Sequence, residues 1–437
     1  MLLQIYMSKL IINGGKALHG TVKPVANKNT IIKLIPAALL TDEDVIIHNV
    51  PMSSDVKYML QILELLGWQV EVFNNNSSVK INCAKVHNHI IDAELSDKMK
   101  ASVMFMWPLL VRFGKATMPT PQGCKLGTRP LDALIENMIT LGATYKHQDG
   151  TYFLTTNGWL KATEVRQRFP SVTGTENLIL LASRVPGKTT IYNAACEPHT
   201  QELCHFLNSL WANITGIWSN KLEIIGVEKL SGGEWTCDSD HLDVGGFIAA
   251  AVLTGGELTI THAVTRHMGM ILQVYKKLWI HVEVDHEKDQ IFVPKNQKLT
   301  CAKTLKWDLY EISALQRPLF PADLVHTLAI LALKAQWSMM FRNIFYEYSF
   351  FFIQQLAKMK AITVMADPTK IVTYGPTEFK PATMVCSDII QASYAMMLAA
   401  LATKWESTLL ECDSLFRRYP DLVAQFNALG AEIRLEK

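Results

Sequence analysis

The chain has 437 residues, of which 49% are hydrophobic and 19% charged, and its formal net charge is +2. That length carries two or three domains with a sizeable core. So balanced a charge leaves no electrostatic footprint for nucleic acid or an acidic membrane surface.

The longest apolar runs, such as 395–402, fall far short of a membrane span. The apolar opening 1–7 is too short to read as a signal peptide. Cysteines stand at 83, 124, 196, 204, 237, 301, 386 and 412, and no two have CxxC spacing. Neither a zinc site nor a disulfide framework is indicated, and reduced thiols in a cytoplasmic protein are the simplest reading. His87 and His89 sit two apart without a third ligand, so no metal is expected.

Taken in order, the chain repeats itself. A helical run that stops in a small turn and passes into alternating residues occurs six times. The turns are Leu66-Gly67-Trp68, Leu141-Gly142-Ala143, Leu210-Trp211-Ala212, Leu278-Trp279-Ile280, Met359-Lys360-Ala361 and Leu429-Gly430-Ala431. They recur at a period of about 70 residues. Glycine after an apolar helical run is a helix stop.

Upstream of each turn lies a second, more apolar helix, expected at 30–40, 102–111, 176–184, 246–253, 324–333 and 393–402. Short strands should follow at 45–48, 116–118, 189–192, 257–261, 337–341 and 407–410. Each unit reads strand, apolar helix, strand, amphipathic helix, two strands. A helix that is apolar all round must be buried on all sides. The expected class is therefore α/β, with sheets wrapped around internal helices. The glycine-containing stretch 231–239 marks a boundary between the third and fourth units, with a ligand cleft between the halves as the default expectation.

The heads of the apolar helices are polar: Asn27-Lys28-Asn29, Lys98-Met99-Lys100, Ser171-Val172-Thr173, Asp240-His241-Leu242-Asp243, Phe320-Pro321-Ala322-Asp323 and Ser387-Asp388. Helix N-termini present free N–H groups and attract anions. Several aimed at one cleft would suit a phosphorylated substrate. Asp240, Asp323 and Asp388 also suit plain N-capping. Lys28 and Lys100 do not, because the helix dipole opposes a cation there.

Between the second apolar helix and its partner lies a loop, 119–130, with Pro119, Pro121, Pro130, Gly123 and Gly127. It holds Cys124 beside Lys125 and five residues before Arg129. Nearby positive charge favours the thiolate, so Cys124 is a candidate reactive thiol.

Together, Lys28-Asn29, the loop Gly123-Cys124-Lys125-Leu126-Gly127-Thr128-Arg129-Pro130-Leu131-Asp132, Ser171-Val172 with Thr175-Glu176-Asn177, and Phe320-Pro321-Ala322-Asp323 resemble the enolpyruvyl transferases. The likeness runs from about Lys9 to Ile433, and four motifs in order are far more specific than one. The resemblance implies two inside-out α/β barrel domains, each built of three repeated units around buried helices. It puts the first at 28–238 and the second at 1–27 plus 239–437. It implies transfer of the enolpyruvyl group of phosphoenolpyruvate to the 3′-hydroxyl of UDP-N-acetylglucosamine, releasing phosphate. No metal or other cofactor and no nucleic-acid or membrane partner is implied, and the setting is the cytoplasm.

The family's roles carry over by motif. Cys124 matches the loop cysteine that helps protonate the enolpyruvyl methylene and reacts with fosfomycin. Asp323 matches the carboxylate that accepts the sugar hydroxyl proton. Lys28 and Arg417 match the cations that hold phosphoenolpyruvate. Asn29 would contact the sugar, with Tyr346 near it. Arg129, Pro130, Leu131 and Asp132 would lie by the nucleotide, and Ser171 and Val172 by the diphosphate. Three family arginines are replaced, by Lys100, Ser349 and Ile390. Arg184, Arg342 and Arg418 are the candidates to supply the missing charge. Two other readings stay open: a relative that binds a nucleotide sugar without turnover, and a transferase with another acceptor such as a shikimate phosphate.

Overall fold

A helix without a polar face has no side to give to water, and each of the six apolar segments is buried as a helix in the computed structural model. The structure describes residues 8–120, 131–156, 158, 160–346 and 348–436. The helices are α1 (Lys28–Ala37), α2 (Met106–Phe113), α3 (Val172–Ala182), α4 (His241–Thr254), α5 (Val325–Lys334) and α6 (Ile390–Leu401). In α4 every side chain from 241 to 253 is buried. The second helix starts later than expected. Residues Lys100–Phe105 wind as a tighter 3-10 turn, and α-helix begins at Met106. Pro108 falls in that first turn, where its missing N–H costs nothing.

The described residues form two compact units, 26–120 with 131–238, and 8–25 with 239–436. Six sheets form among the described residues, three in each unit. One strand order recurs. The strand before a buried helix pairs in parallel with the strand after it, and the two following strands add in reverse order. Thus Glu164–Arg166 lies parallel to Gly187–Tyr192, followed by Lys221–Gly226 and Asn213–Thr215. Likewise Tyr310–Leu315 lies parallel to Trp337–Asn343, followed by Lys370–Gly375 and Ile362–Asp367. A helix between parallel strands is the usual way to join them.

The first and fourth repeats exchange their leading strands. His19–Val22 precedes α1 but pairs with Glu257–Thr261, while Gly233–Thr236 precedes α4 but pairs with Val45–His48. The stretch 231–239, read from its glycines as a boundary, therefore contains a strand. In the last sheet Lys9–Gly14, from the start of the chain, fills the place between Trp405–Leu410 and Ile433–Glu436.

The middle residue of the repeating turn takes a left-handed backbone in all six copies. Gly67, Gly142 and Gly430 have φ of 98°, 99° and 93°, and Trp211, Trp279 and Lys360 have 73°, 61° and 66°. The turn is thus kept where glycine is absent. Trp337 and Trp405 open their strands at φ 73° and 78°, as Gly187 does at 106°. All four tryptophans are exposed.

Ile31, Leu34 and Ile35 of α1, Leu109 and Leu110 of α2, and Leu178 and Leu181 of α3 sit in one apolar core. In the other unit Phe247, Leu328 and Met397 are wholly buried. Close helix packing explains two glycines in α4. A Cβ at Gly246 would meet Tyr394 Oη at 2.6 Å, and one at Gly245 would meet Leu324 Cδ1 at 2.9 Å. Among the described residues no helix is long and apolar enough to cross a membrane.

Candidate active site

In the unit of 26–238 the polar heads of α1 and α3 carry charge into the protein. Asn27 caps α1, its side chain accepting from the Asn29 N–H at 3.0 Å. Lys28 follows and is almost wholly buried. Its Nζ donates to Asp55 Oδ2 at 2.7 Å, from the first turn of the helix Ser54–Leu65. The conflict between a cation and the α1 dipole is thus met by the protein's own carboxylate.

One turn on, Lys33 Nζ donates to the Asn29 carbonyl at 3.0 Å and lies 3.3 Å from Glu176 Oε2 of α3. Thr200 Oγ1 donates to Glu176 Oε1 at 3.2 Å, with His199 Nε2 at 3.5 Å from the same oxygen. Burial pushes the Lys33 ammonium down and the Glu176 carboxyl up, and each partner's charge opposes the shift. Glu202 lies close by in sequence on Pro198–Ser209. Its oxygens accept from Thr30 Oγ1 at 2.6 Å, the Asp238 N–H at 2.9 Å and Trp235 Nε1 at 3.1 Å. Burial, then the Asp238 charge, pushes Glu202 up to about 7.

The other candidates in this unit stand at element starts. Lys100 opens the 3-10 stretch before α2. Leu131 and Asp132 begin the helix Asp132–Thr140. Ser171 caps α3, its Oγ accepting from the Gly174 N–H at 3.1 Å, and Val172 follows as the first helical residue. Cys124, Arg129 and Pro130 lie outside the described residues.

In the unit of 8–25 and 239–436, Asp323 sits in the 3-10 turn Ala322–Leu324 that leads into α5. Unlike Asp240, it is not an N-cap: Pro321 holds that position for the turn and Leu324 for α5. Tyr346 Oη donates to its Oδ1 at 3.3 Å, and an Arg418 terminal nitrogen lies 3.7 Å from its Oδ2. The other Arg418 terminal nitrogen donates to Asp240 Oδ2. Asp240 caps α4, accepting from the Leu242 N–H at 2.9 Å. Burial alone would lower the Arg418 guanidinium, but the charge of Asp240, with Tyr419 and Asp323 behind it, raises it overall. Asp243 Oδ2 accepts from the Val25 N–H at 3.1 Å, and burial with the nearby Asp240 charge pushes it up to about 7. Arg417 ends the 3-10 stretch Cys412–Arg417, directly before Arg418.

Ser349 and Ile390, which stand where the resemblance calls for arginine, are both buried. Of the three candidate substitutes, Arg184 donates to the Leu40 carbonyl and Arg342 Nε lies 3.1 Å from Glu311. Arg418 alone of these three pairs with Asp323. Asp55, Lys33, His199 and Glu202 escaped the sequence reading as site residues. Lys33 carried a signal, as a charge inside an otherwise apolar run. Asp55 and Glu202 carried none, because carboxylates on amphipathic helices are ordinary surface residues.

The chain matches the family model described as EPSP synthase (3-phosphoshikimate 1-carboxyvinyltransferase) over residues 12–426. It is 36% identical over 431 residues to the UDP-N-acetylglucosamine 1-carboxyvinyltransferase of Borreliella burgdorferi, covering 99% of this chain and 100% of that protein. The protein of the same name from Treponema denticola is 35% identical over 431 residues, with the same coverage. Among solved structures, the enolpyruvyl transferase NikO from Streptomyces tendae superimposes with a TM-score of 0.87 at 23% identity, over 98% of this chain and 99% of that one. An EPSP synthase from Acinetobacter baumannii gives 0.75 at 15% identity, over 99% and 100%. At such identities these two likenesses speak for the fold alone.

Proposed function

The chain belongs to the EPSP synthase family of enolpyruvyl transferases, and on that premise we propose that it transfers the enolpyruvyl group of phosphoenolpyruvate to the 3′-hydroxyl of UDP-N-acetylglucosamine. Inorganic phosphate leaves, and the product feeds peptidoglycan precursor synthesis in the cytoplasm. The observation that carries this reading is the full-length identity to the two spirochaete proteins named for that reaction. The family description names a shikimate acceptor. The sugar nucleotide is preferred because these relatives match the whole chain at above 30% identity.

The reaction is an addition followed by an elimination. The sugar oxygen bonds to C2 of phosphoenolpyruvate as its proton leaves, and C3 gains a proton to become a methyl group. The C2–O bond to phosphate then breaks, and C3 gives a proton back. Asp323 is the base for the hydroxyl proton, and Cys124 serves the proton at C3. Lys28, with Arg417 and Lys100, offsets the charge of phosphoenolpyruvate, a stabilisation that grows as water is excluded. Asn29 and Tyr346 contact the sugar, Arg129, Pro130, Leu131 and Asp132 the nucleotide, and Ser171 and Val172 the diphosphate. Cys124 is also the group that fosfomycin would alkylate.

We read each unit as an inside-out α/β barrel of three repeats. The recurrent strand order and the burial of α1 to α6 support that reading.

The test is phosphate release by the purified protein with both substrates. Release that requires UDP-N-acetylglucosamine supports the reading. Release with 3-phosphoshikimate instead would move the acceptor. Tight binding of the sugar nucleotide without release would leave a non-catalytic binding protein.

A further inference from the structure

Asp323, itself partly exposed, belongs to a triad whose centre is a buried cation. Arg418 is 4% exposed, with one terminal nitrogen on Asp240 Oδ2 and the other 3.7 Å from Asp323 Oδ2. The two carboxylates come from the heads of two buried helices. Asp240 is fixed by the Leu242 N–H at the start of α4, with His241 Nδ1 3.8 Å from its Oδ1. Asp323 leads into α5, and its second oxygen takes the Tyr346 hydroxyl at 3.3 Å. Tyr419 packs beside the guanidinium, whose carbon lies 5.5 Å from the ring centre.

A guanidinium is a rigid planar fork, so it can hold two carboxylates at a set separation, where an ammonium can satisfy only one well. The second carboxylate has a consequence for catalysis. If Asp323 alone neutralised Arg418, taking up a proton would strand a buried cation, which costs several kcal/mol. With Asp240 in place the cation keeps a partner while Asp323 is protonated and when it is released again.

We propose that Arg418 is the positioning residue of Asp323, fixing the orientation of that carboxylate through a fork anchored on Asp240. The inference rests on the base role given to Asp323 under Proposed function. In the addition step the sugar O–H bond breaks, its electron pair forms the bond to C2 of phosphoenolpyruvate, and the proton passes to Asp323. Arg418 exchanges no proton and touches no substrate.

The experiment compares the full chain with Arg418→Ala and Arg418→Lys, reading phosphate release, both KM values, and folding by circular dichroism and thermal melting. Misplacing a catalytic group by about 1 Å costs on the order of 100-fold, so kcat of Arg418→Ala should fall by about that factor with both KM values little changed. Guanidinium chloride, well below denaturing concentration, should restore part of the loss, and sodium chloride of equal ionic strength should not. A folded Arg418→Ala protein with parental kcat overturns the proposal. So does a loss confined to the KM for phosphoenolpyruvate, which would make Arg418 a ground-state anion binder.

If Arg418→Ala does not fold, Arg418→Lys decides, because it keeps the charge between the carboxylates but not the fork. The expected result is parental melting with kcat reduced by about tenfold, and unchanged kcat overturns the proposal. A parent that releases no phosphate overturns the functional reading and this inference together. A parent that turns over beside an equally active Arg418→Ala overturns this inference alone.

Discussion

Lys28 Nζ lies 2.7 Å from Asp55 Oδ2, and both side chains are almost wholly out of water. The pair lets a cation stand at the head of α1, against the helix dipole. Removing one partner leaves the other buried and unpaired, at a cost of about 3–5 kcal/mol. Asp55→Ala should therefore destabilise the chain by about that much in urea unfolding. The double variant Lys28→Met, Asp55→Ala should recover part of the loss. A double variant that loses the full sum of both singles would mean that the two side chains act independently.

Asp323 is not a helix N-cap, and its carboxylate faces Tyr346 and Arg418 instead. A positioned general base contributes about 10²- to 10⁴-fold. Asp323→Asn should lower kcat within that range and leave both KM values close to the parent's. An Asp323→Asn protein that turns over normally would remove the residue from the mechanism.

Glu202 is a buried carboxyl pushed up to about 7, first by burial and then by Asp238. The folded state keeps a proton that the unfolded chain loses near the ordinary value of 4.5. This contribution to stability is full below that value and is lost as pH rises through about 7. Glu202→Gln cannot ionise. Between about pH 5 and pH 8 its stability should gain on the parent's by roughly 2–3 kcal/mol. The pH dependence of the difference isolates Glu202 from the buried histidines, whose protonation favours the opposite trend. A constant difference across that range would show that Glu202 does not titrate there.

The repeat was legible because periodicity and helix stops are local. The six apolar helices and the six strands after them needed nothing beyond hydrophobic pattern. The exchange of leading strands was not legible. His19–Val22 and Gly233–Thr236 look like any other short strands, and only long-range pairing decides which sheet takes each. The same divide runs through the site. Lys28 and Asp323 were visible as polar residues at the mouths of apolar helices. Asp55 became visible only through its partner, and Arg418, one of three candidate cations in the sequence, was singled out only by the two carboxylates it joins. Residues whose meaning is pairwise cannot be read from one position.

Trp211, Trp279, Trp337 and Trp405 are exposed and hold a left-handed backbone, at sites whose counterparts in other repeats are glycine. That conformation costs an L-residue roughly 1–2 kcal/mol, against about 0.5–1 kcal/mol of extra chain entropy lost by glycine. Their aromatic surface gains little burial in return. Trp211→Gly and Trp405→Gly should each raise stability, by up to about 1 kcal/mol, in denaturant unfolding. Lower midpoints in both variants would show that the exposed rings contribute more than the strain they impose.

The described cysteines make a sharp background for Cys124. Cys83, Cys204, Cys237, Cys301, Cys386 and Cys412 are buried. Burial pushes Cys301 and Cys386 up to about 12, and Cys83, Cys204 and Cys237 higher still. Near neutral pH those thiols hold almost no thiolate, which is the form that attacks an epoxide. Cys196 is half-buried, and Cys124 stands in sequence beside Lys125 and near Arg129. Fosfomycin should therefore add once per chain, and peptide mapping should find the adduct on Cys124. Cys124→Ser should abolish the adduct and lower phosphate release strongly, while Cys83→Ser should change neither. An adduct on Cys196 would make accessibility, rather than the cations of the loop, the source of reactivity. No adduct on an active enzyme would take Cys124 out of the thiolate role.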